Sequence, residues 1–252
     1  MRRPTPGMVS SLAEMLRSDP TQPLVTMYDD GTGERVELSA TTFDNWVCKV
    51  SNLFTMEWEL GPGERVAVLM PTHWQSMVSI LAAWTSGLVV ALDRETVVSA
   101  SVVGPPSWIG ERSEEHILAC SLRPFADAEP MALPPGWLDF DNEVPPQPDA
   151  LLEAAAGGPD DPAVVGPSGL ATNAELLLRG RTAADALGLT PGGRLVTDLN
   201  PADPAGLDVA LLAPLATGSS VVLLVDVPPA RRSVLAAQEQ VTCSRWSDGS
   251  DG

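Results

Sequence analysis

An internal repeat constrains this chain more than any other feature. LGPGERVAVLMP at 60–71 matches LTPGGRLVTDLNP at 189–201, so that Gly63 corresponds to Gly192 and Arg65 to Arg194. Downstream, WTSGLVVAL at 84–92 matches LATGSSVVLL at 215–224 after a small insertion. Each copy reads as a glycine turn, an apolar run of strand length, a helical stretch, a second glycine and a second apolar run. Strand, crossover helix and strand joined by tight links make a βαβ unit, and such crossovers are almost always right-handed and build parallel sheet. Two such halves in one chain predict an α/β protein, doubly wound, with mostly parallel sheets and flanking helices.

The remaining elements fit around the repeat. Met8, Leu12, Met15 and Leu16 lie on one side of a short helix over 8–18, and PLVTMYDDGTGERVELS turns at Asp30-Gly31 as a hairpin. Ser39 is a good N-cap for the helix that follows, whose Phe43, Trp46, Val47, Val50, Leu53 and Phe54 recur at steps of three and four. Between the copies, 99–104 and 116–122 read as strands. The stretch 124–148 is a proline-rich connector without helical or strand period, 149–156 reads as a short helix, and 173–187 and 229–240 as longer ones. The organisation expected is therefore a first α/β half over 1–123, the connector over 124–148, a second α/β half over 149–242 and a flexible polar tail over 243–252.

Charge narrows the partners. With 33 acidic against 15 basic residues the formal charge is −18, which repels nucleic acid and anionic membrane and excludes both as expected partners. The longest uncharged stretch, 209–225, is broken by Pro214, Gly218, Ser219 and Ser220, and reads as a buried helix and strand rather than a membrane span. Cys48, Cys120 and Cys243 are odd in number and far apart, with no CxxC pair, as in a reducing cytoplasm. The prolines at 4 and 6 break the apolar continuity a secretory leader needs.

The chemistry a chain can carry depends on a few side chains. Lys49 is the only lysine, so any step needing an ammonium group outside its helix has no supplier. In DDPAVVGPSGLATNAELL, an apolar strand enters GPSG and then a helix, which is the order of a phosphate-binding strand–loop–helix. Gly166, Ser168 and Gly169 are its candidate binding residues, with Arg179 and Arg181 on the following helix as the available cations. Ser168 does not sit in a GxSxG elbow, because the leading glycine is one residue too close. His73 opens a helix beside Trp74 and reads as packed. His116 and Cys120 are four apart, a metal-ligand spacing only on a helix, and the segment reads as strand. The sequence supplies no catalytic set and no metal set.

In order, ELSATTFDNW, GPGERVAVLMPTHWQSMVSILAAWTSGLVVAL, DDPAVV and the repeat ending in LLAPLATGSSVVLL resemble the adenylate-forming superfamily. That superfamily comprises acyl-CoA synthetases, peptide-synthetase adenylation domains and luciferases. The resemblance covers about 20–242, corresponds to the first half of the large domain, and is nearest to short uncharacterised actinobacterial proteins of this type. It implies a phosphate loop after PAVV that is rich in Thr, Ser and Gly and ends in Pro-Lys-Gly. Here Gly166, Pro167, Ser168 and Gly169 stand in its place. Proline removes an amide donor, and no lysine follows. The adenine, ribose and metal segments of the family, and its C-terminal lysine, match nothing in this sequence.

Three readings follow. The first is a non-catalytic relative acting as a binding or interaction protein, without a cofactor and with an unknown protein partner. The second is a partial AMP-dependent acyl-CoA ligase completed by a partner chain. The third is a non-catalytic binder of a nucleotide (ATP or AMP), CoA or an acyl group.

Overall fold

Both copies of the repeat fold as strand, helix and parallel strand. The computed structural model describes residues 8–109, 112–123, 131–153, 156–167 and 169–249. In chain order, α1 (Met8–Ser18) precedes a hairpin of β1 (Pro23–Asp29) and β2 (Glu34–Ser39), and α2 (Ala40–Asn52) ends in a π-helical turn over Leu53–Glu57. Next come β3 (Arg65–Leu69), α3 (Trp74–Thr85), β4 (Val89–Ala91), β5 (Ala100–Val103), α4 (Pro106–Ile109) and β6 (His116–Ala119). Two short elements follow, β7 (Leu138–Asp139) and α5 (Phe140–Glu143), and then the hairpin β8 (Pro162–Gly166) and β9 (Gly169–Thr172). The chain finishes with α6 (Asn173–Leu187), β10 (Arg194–Thr197), α7 (Pro204–Gly206), a π-helical Leu207–Leu212, α8 (Ala213–Thr217), β11 (Ser220–Val225), α9 (Pro229–Gln238) and β12 (Cys243–Arg245).

The strands divide between two sheets, ordered β12-β10-β11-β1-β2 and β7-β6-β5-β3-β4-β8-β9. Among the described residues only β1–β2 and β8–β9 pair antiparallel; every other ladder is parallel. This is the α/β class expected. The compact units interleave in sequence: one is drawn from Met1–Phe43, Thr72–Trp74 and Ala174–Gly252, the other from Asp44–Pro71 and Gln75–Asn173. They are therefore not the contiguous halves 1–123 and 149–242. A hairpin from early in the chain joins the late repeat, and a hairpin from late in the chain joins the early one.

In the five-stranded unit, Val221, Val222, Leu223 and Leu224 of β11 lie at the centre of the sheet and are buried on both faces. Such continuous apolar runs are what a parallel sheet covered on two sides requires. The crossover of this copy is longer: Gly218 lies 24 residues after Arg194, whereas Gly87 lies 22 after Arg65. The π-helical Leu207–Leu212, for which the early crossover has a regular α-helix, takes up part of the difference. Gly180 of α6 faces it so closely that a Cβ would stand 2.6 Å from the Leu212 carbonyl oxygen. The expected flexible tail is corrected here. β12 pairs in parallel with β10, Leu195 opposite Cys243, and Trp246 beyond it is buried under the Arg232 guanidinium at 4.5 Å. One aromatic side chain outweighs the polar composition around it. Residues 250–252 lie outside the described residues.

In the seven-stranded unit the connector also differs from expectation. It contributes β7 and α5, because Phe140 is fully buried and stacks on Trp46 at 5.8 Å. The expected helix over 149–156 is absent among its described residues, and the cause is a side chain of α2. Asn52 donates to the carbonyls of Pro148 and Ala150 at 3.1 and 2.9 Å and accepts the Leu152 amide at 3.0 Å. Backbone groups that a helix needs for itself are already committed.

Candidate functional site

The GPSG segment decides what the sequence-predicted site can do. Val165 pairs with Leu170 and Gly166 with Gly169 in an antiparallel register, so the chain reverses between two directly paired glycines. Gly169 has φ +104°, a conformation glycine adopts without steric cost. The expected strand–loop–helix is thus corrected: a hairpin intervenes, and α6 starts only after β9. Of the three candidate residues, Gly166 and Gly169 face each other across the hairpin, while Ser168 lies outside the described residues. A Cβ at Gly166 would stand 3.8 Å from an Asp93 carboxylate oxygen, so the nearest charge is negative. Arg179 pairs with Asp208 at 2.6 Å, and Arg181 is exposed. Both belong to the other unit.

The only lysine is committed elsewhere. From α2, the Lys49 ammonium donates to the Pro145 carbonyl at 2.8 Å and to that of Gln147, and pairs with Asp149 at 2.8 Å. With Asn52 one helical turn on, it fastens 145–152 to α2. The sequence marked Lys49 as unique, but the carbonyls it holds are about a hundred residues away and left no local signal.

Other reactive types are quiet. Burial holds the His73 imidazole down to about 3, so it is neutral at physiological pH and packs on Trp74 with ring centroids 5.6 Å apart. Burial also pushes the Cys48 thiol up to about 11 and raises Cys120 and Cys243, which keeps all three protonated. His116 stacks on Trp58 at 5.0 Å in β6. Its distance to Cys120 is the rise of an extended chain, about 13 Å over four residues, too far for one metal. Among the described residues no group of three His, Cys, Asp or Glu side chains is placed to hold a metal ion.

What the seven-stranded sheet does present is apolar. Parallel register puts Ile117, Ser101, Ala67, Ala91 and Val165 in one transverse row, and Ala119, Val103 and Leu69 in the next row toward the carboxyl ends of the strands. Ile117, Ala67, Ala91, Ala119, Val103 and Leu69 form one buried cluster with Ile109 of α4, against which Val98, Met131, Leu133, Trp137 and Val165 pack half-buried. Open parallel sheets bind ligands beyond these carboxyl ends. The sequence concealed this face because RVAVL is apolar on both sides, and only the pairing partners separate Ala67 and Leu69 from Val66 and Val68.

The fold is that of the acyl-CoA synthetases. An acyl-CoA synthetase of Brucella canis superposes with a TM-score of 0.77 at 16% identity, covering 96% of this chain and 47% of the other. The anthranilate CoA ligase AuaEII, solved with anthranoyl-AMP, gives 0.72 at 17% identity, covering 95% and 49%. The chain thus spans about half the length of the solved synthetases it matches. More specifically, it is 35% identical over 254 residues to a TIGR03089 family protein of Mycobacterium tuberculosis (strain ATCC 25618 / H37Rv), covering 96% of this chain and 99% of that protein. The chain belongs to that family. No protein-family model matches it.

Proposed function

We propose that this chain is a non-catalytic relative of the acyl-CoA synthetases, acting as a binding or interaction protein in the cytoplasm. The observation that carries the reading is the direct pairing of Gly166 with Gly169. Holding a triphosphate takes several backbone amides pointing into one hollow and a cation to offset the charge. A two-residue turn beginning with proline offers few amides, Asp93 adds negative charge beside it, and Lys49 is bound to carbonyls on another segment. Three free thiols, each raised by burial, fit a reducing compartment.

ATP–pyrophosphate exchange tests the reading directly. Purified protein with Mg²⁺, ATP and a panel of aliphatic and aromatic carboxylic acids is expected to show exchange no faster than buffer. Acid-dependent exchange by the lone chain defeats it.

A second reading, a partial ligase completed by a partner chain, is favoured by one observation. β12 is an edge strand of a parallel sheet, beside a hollow of about 490 Å³ lined by Ala236, Val241, Cys243 and Trp246 among others. An unpaired edge accepts a further strand. Exchange activity that emerges only when a co-purifying chain is added back supports this second reading over the first.

A further inference from the structure

Among the described residues the two sheets end in four edge strands, β2 and β12 in one, β7 and β9 in the other. An edge strand invites a further strand unless charge, brevity or a cover prevents it. β2 carries Glu34, Arg35 and Glu37, and β7 is two residues long and runs straight into α5. β12 bears a single charge, Arg245 at its end, and borders a hollow of about 490 Å³. An open edge and a recess for a side chain therefore lie together.

The hollow lies between β12 and one flank of α9. Half-buried Ala236 and Val241 and buried Trp246 line it, and the same three side chains are the outer fringe of the core formed by Val196, Val222 and Leu235. Its walls are fixed from behind. The Arg232 guanidinium lies 4.5 Å from the Trp246 ring and donates to Asp198 at 3.0 Å and to Asp248 at 3.2 Å. Asp198 in turn accepts the Ser247 amide at 2.7 Å and the Ser247 hydroxyl at 3.0 Å. A recess braced in this way keeps its shape without an occupant, which lowers the ordering cost of binding. Strand addition uses this combination: main-chain pairing supplies affinity, and a pocket beside the edge selects the side chain.

We propose that β12 and this hollow receive an extended, basic peptide segment of a protein partner. The segment adds a strand beside β12 and sets one aliphatic or aromatic side chain against Ala236, Val241 and Trp246. Its basic character follows from charge. The chain carries 33 acidic against 15 basic residues, and Arg232, the cation in the hollow wall, already meets two carboxylates. A three-residue strand offers few main-chain bonds, and the contact falls well short of the roughly 1,600 Å² of a standard interface. An isolated peptide should therefore bind with a Kd of about 10–100 μM. The inference rests on the reading of this chain as an interaction protein and gives that reading a partner chemistry.

The test titrates the full chain with fluorescein-labelled Lys-Val-Lys-Phe-Lys-Val-Lys-amide. Binding should saturate in the stated range at about 50 mM salt and weaken at least about threefold at about 300 mM. Hydrogen exchange followed by mass spectrometry should show the 243–245 amides slowed at least about fivefold by the peptide, with 34–39 and 169–172 unchanged. Ala236→Trp fills the hollow and should weaken binding at least about tenfold. No saturable binding up to about 1 mM peptide overturns the proposal, as does equal binding of a counterpart with serine for each apolar residue or glutamate for each lysine. So does undiminished affinity in a folded Ala236→Trp; if that variant does not fold, the exchange map of the unaltered chain decides, and protection anywhere other than 243–245 overturns the proposal. A dimer of the unaltered chain that already protects 243–245 makes a second copy the occupant and overturns it too. Acid-dependent pyrophosphate exchange defeats the interaction reading without altering the protection map, whereas a missing footprint at 243–245 defeats this inference alone.

Discussion

The two copies of the repeat share the path of their glycine turns and strands and differ in what fixes it. In the early copy the Glu64 amide donates to the Gly61 carbonyl at 3.1 Å; in the late copy the Gly193 amide donates to that of Thr190 at 2.9 Å. The next strand then docks identically, Val89 amide to Glu64 carbonyl at 2.8 Å and Ser220 amide to Gly193 carbonyl at 3.0 Å. Gly63 and Gly192 are left-handed at φ +87° and +74°, as are Gly87 and Gly218 at +72° and +66°. At these turns the side chains diverge. The Glu64 carboxylate accepts the Gly61 amide and the Ser99 hydroxyl, each at 2.7 Å. At the matching Gly193 a Cβ would stand 2.9 Å from both the Thr190 carbonyl and the Thr242 hydroxyl, because Thr242 closes that turn by accepting the Arg194 amide at 2.9 Å. Glycines at fixed spacing set the path of the chain, and whichever neighbour arrives decides which side chain secures it.

Exchanging the two solutions breaks the equivalence. Gly193→Glu puts a side chain against a carbonyl and a hydroxyl that cannot both move, and should cost about 3 kcal/mol in urea melts. The reverse change, Glu64→Gly, removes two hydrogen bonds but adds no clash, and should cost about 1–2 kcal/mol. Equal losses for the two contradict the comparison.

A smaller and more local effect is expected at Lys49. Lys49→Met leaves the carbonyls of Pro145 and Gln147 without their donor, worth about 1–2 kcal/mol. Hydrogen exchange should show the loss over 145–152 and leave the five-stranded unit unchanged. A uniform rise across the whole chain contradicts the assignment of Lys49 to the connector.

The smallest effect is a matter of pH. The Gly61 amide, and next the Ser99 hydroxyl, hold the Glu64 carboxyl below the usual carboxylate range. Its share of stability is therefore complete above the unfolded value of about 4.3 and is lost as pH falls through the folded value. Glu64→Gln should flatten the decline in stability between about pH 5 and pH 3. Gly193 offers no titrating group, so the matching position of the late turn contributes nothing of this kind to the pH profile. An identical profile for Glu64→Gln and the unaltered protein removes this distinction.

The scaffold was legible because its determinants are local. Gly63, Gly192, the Ser39 cap, which accepts the Thr42 amide at 3.1 Å, and the apolar runs all act within a few residues. What sequence concealed depends on residues meeting from afar. Asn52 removes the 149–156 helix by holding carbonyls nearly a hundred positions away, and Trp246 turns a polar tail into β12 by packing under Arg232. The candidate site was legible only in part. The shortness of GPSG and the missing lysine are visible in the letters, whereas the direct pairing of Gly166 with Gly169 is set by the hairpin register and the buried apolar rows of the seven-stranded sheet by register between distant strands.

The proposed reading rests on the claim that, among the described residues, no cluster of amides and cations is placed to neutralise a nucleotide's terminal phosphates. Titration calorimetry of the purified chain with Mg·ATP measures that most directly. The account predicts no saturable heat up to about millimolar nucleotide, whereas magnesium-dependent binding with a Kd near or below about 10 μM contradicts it.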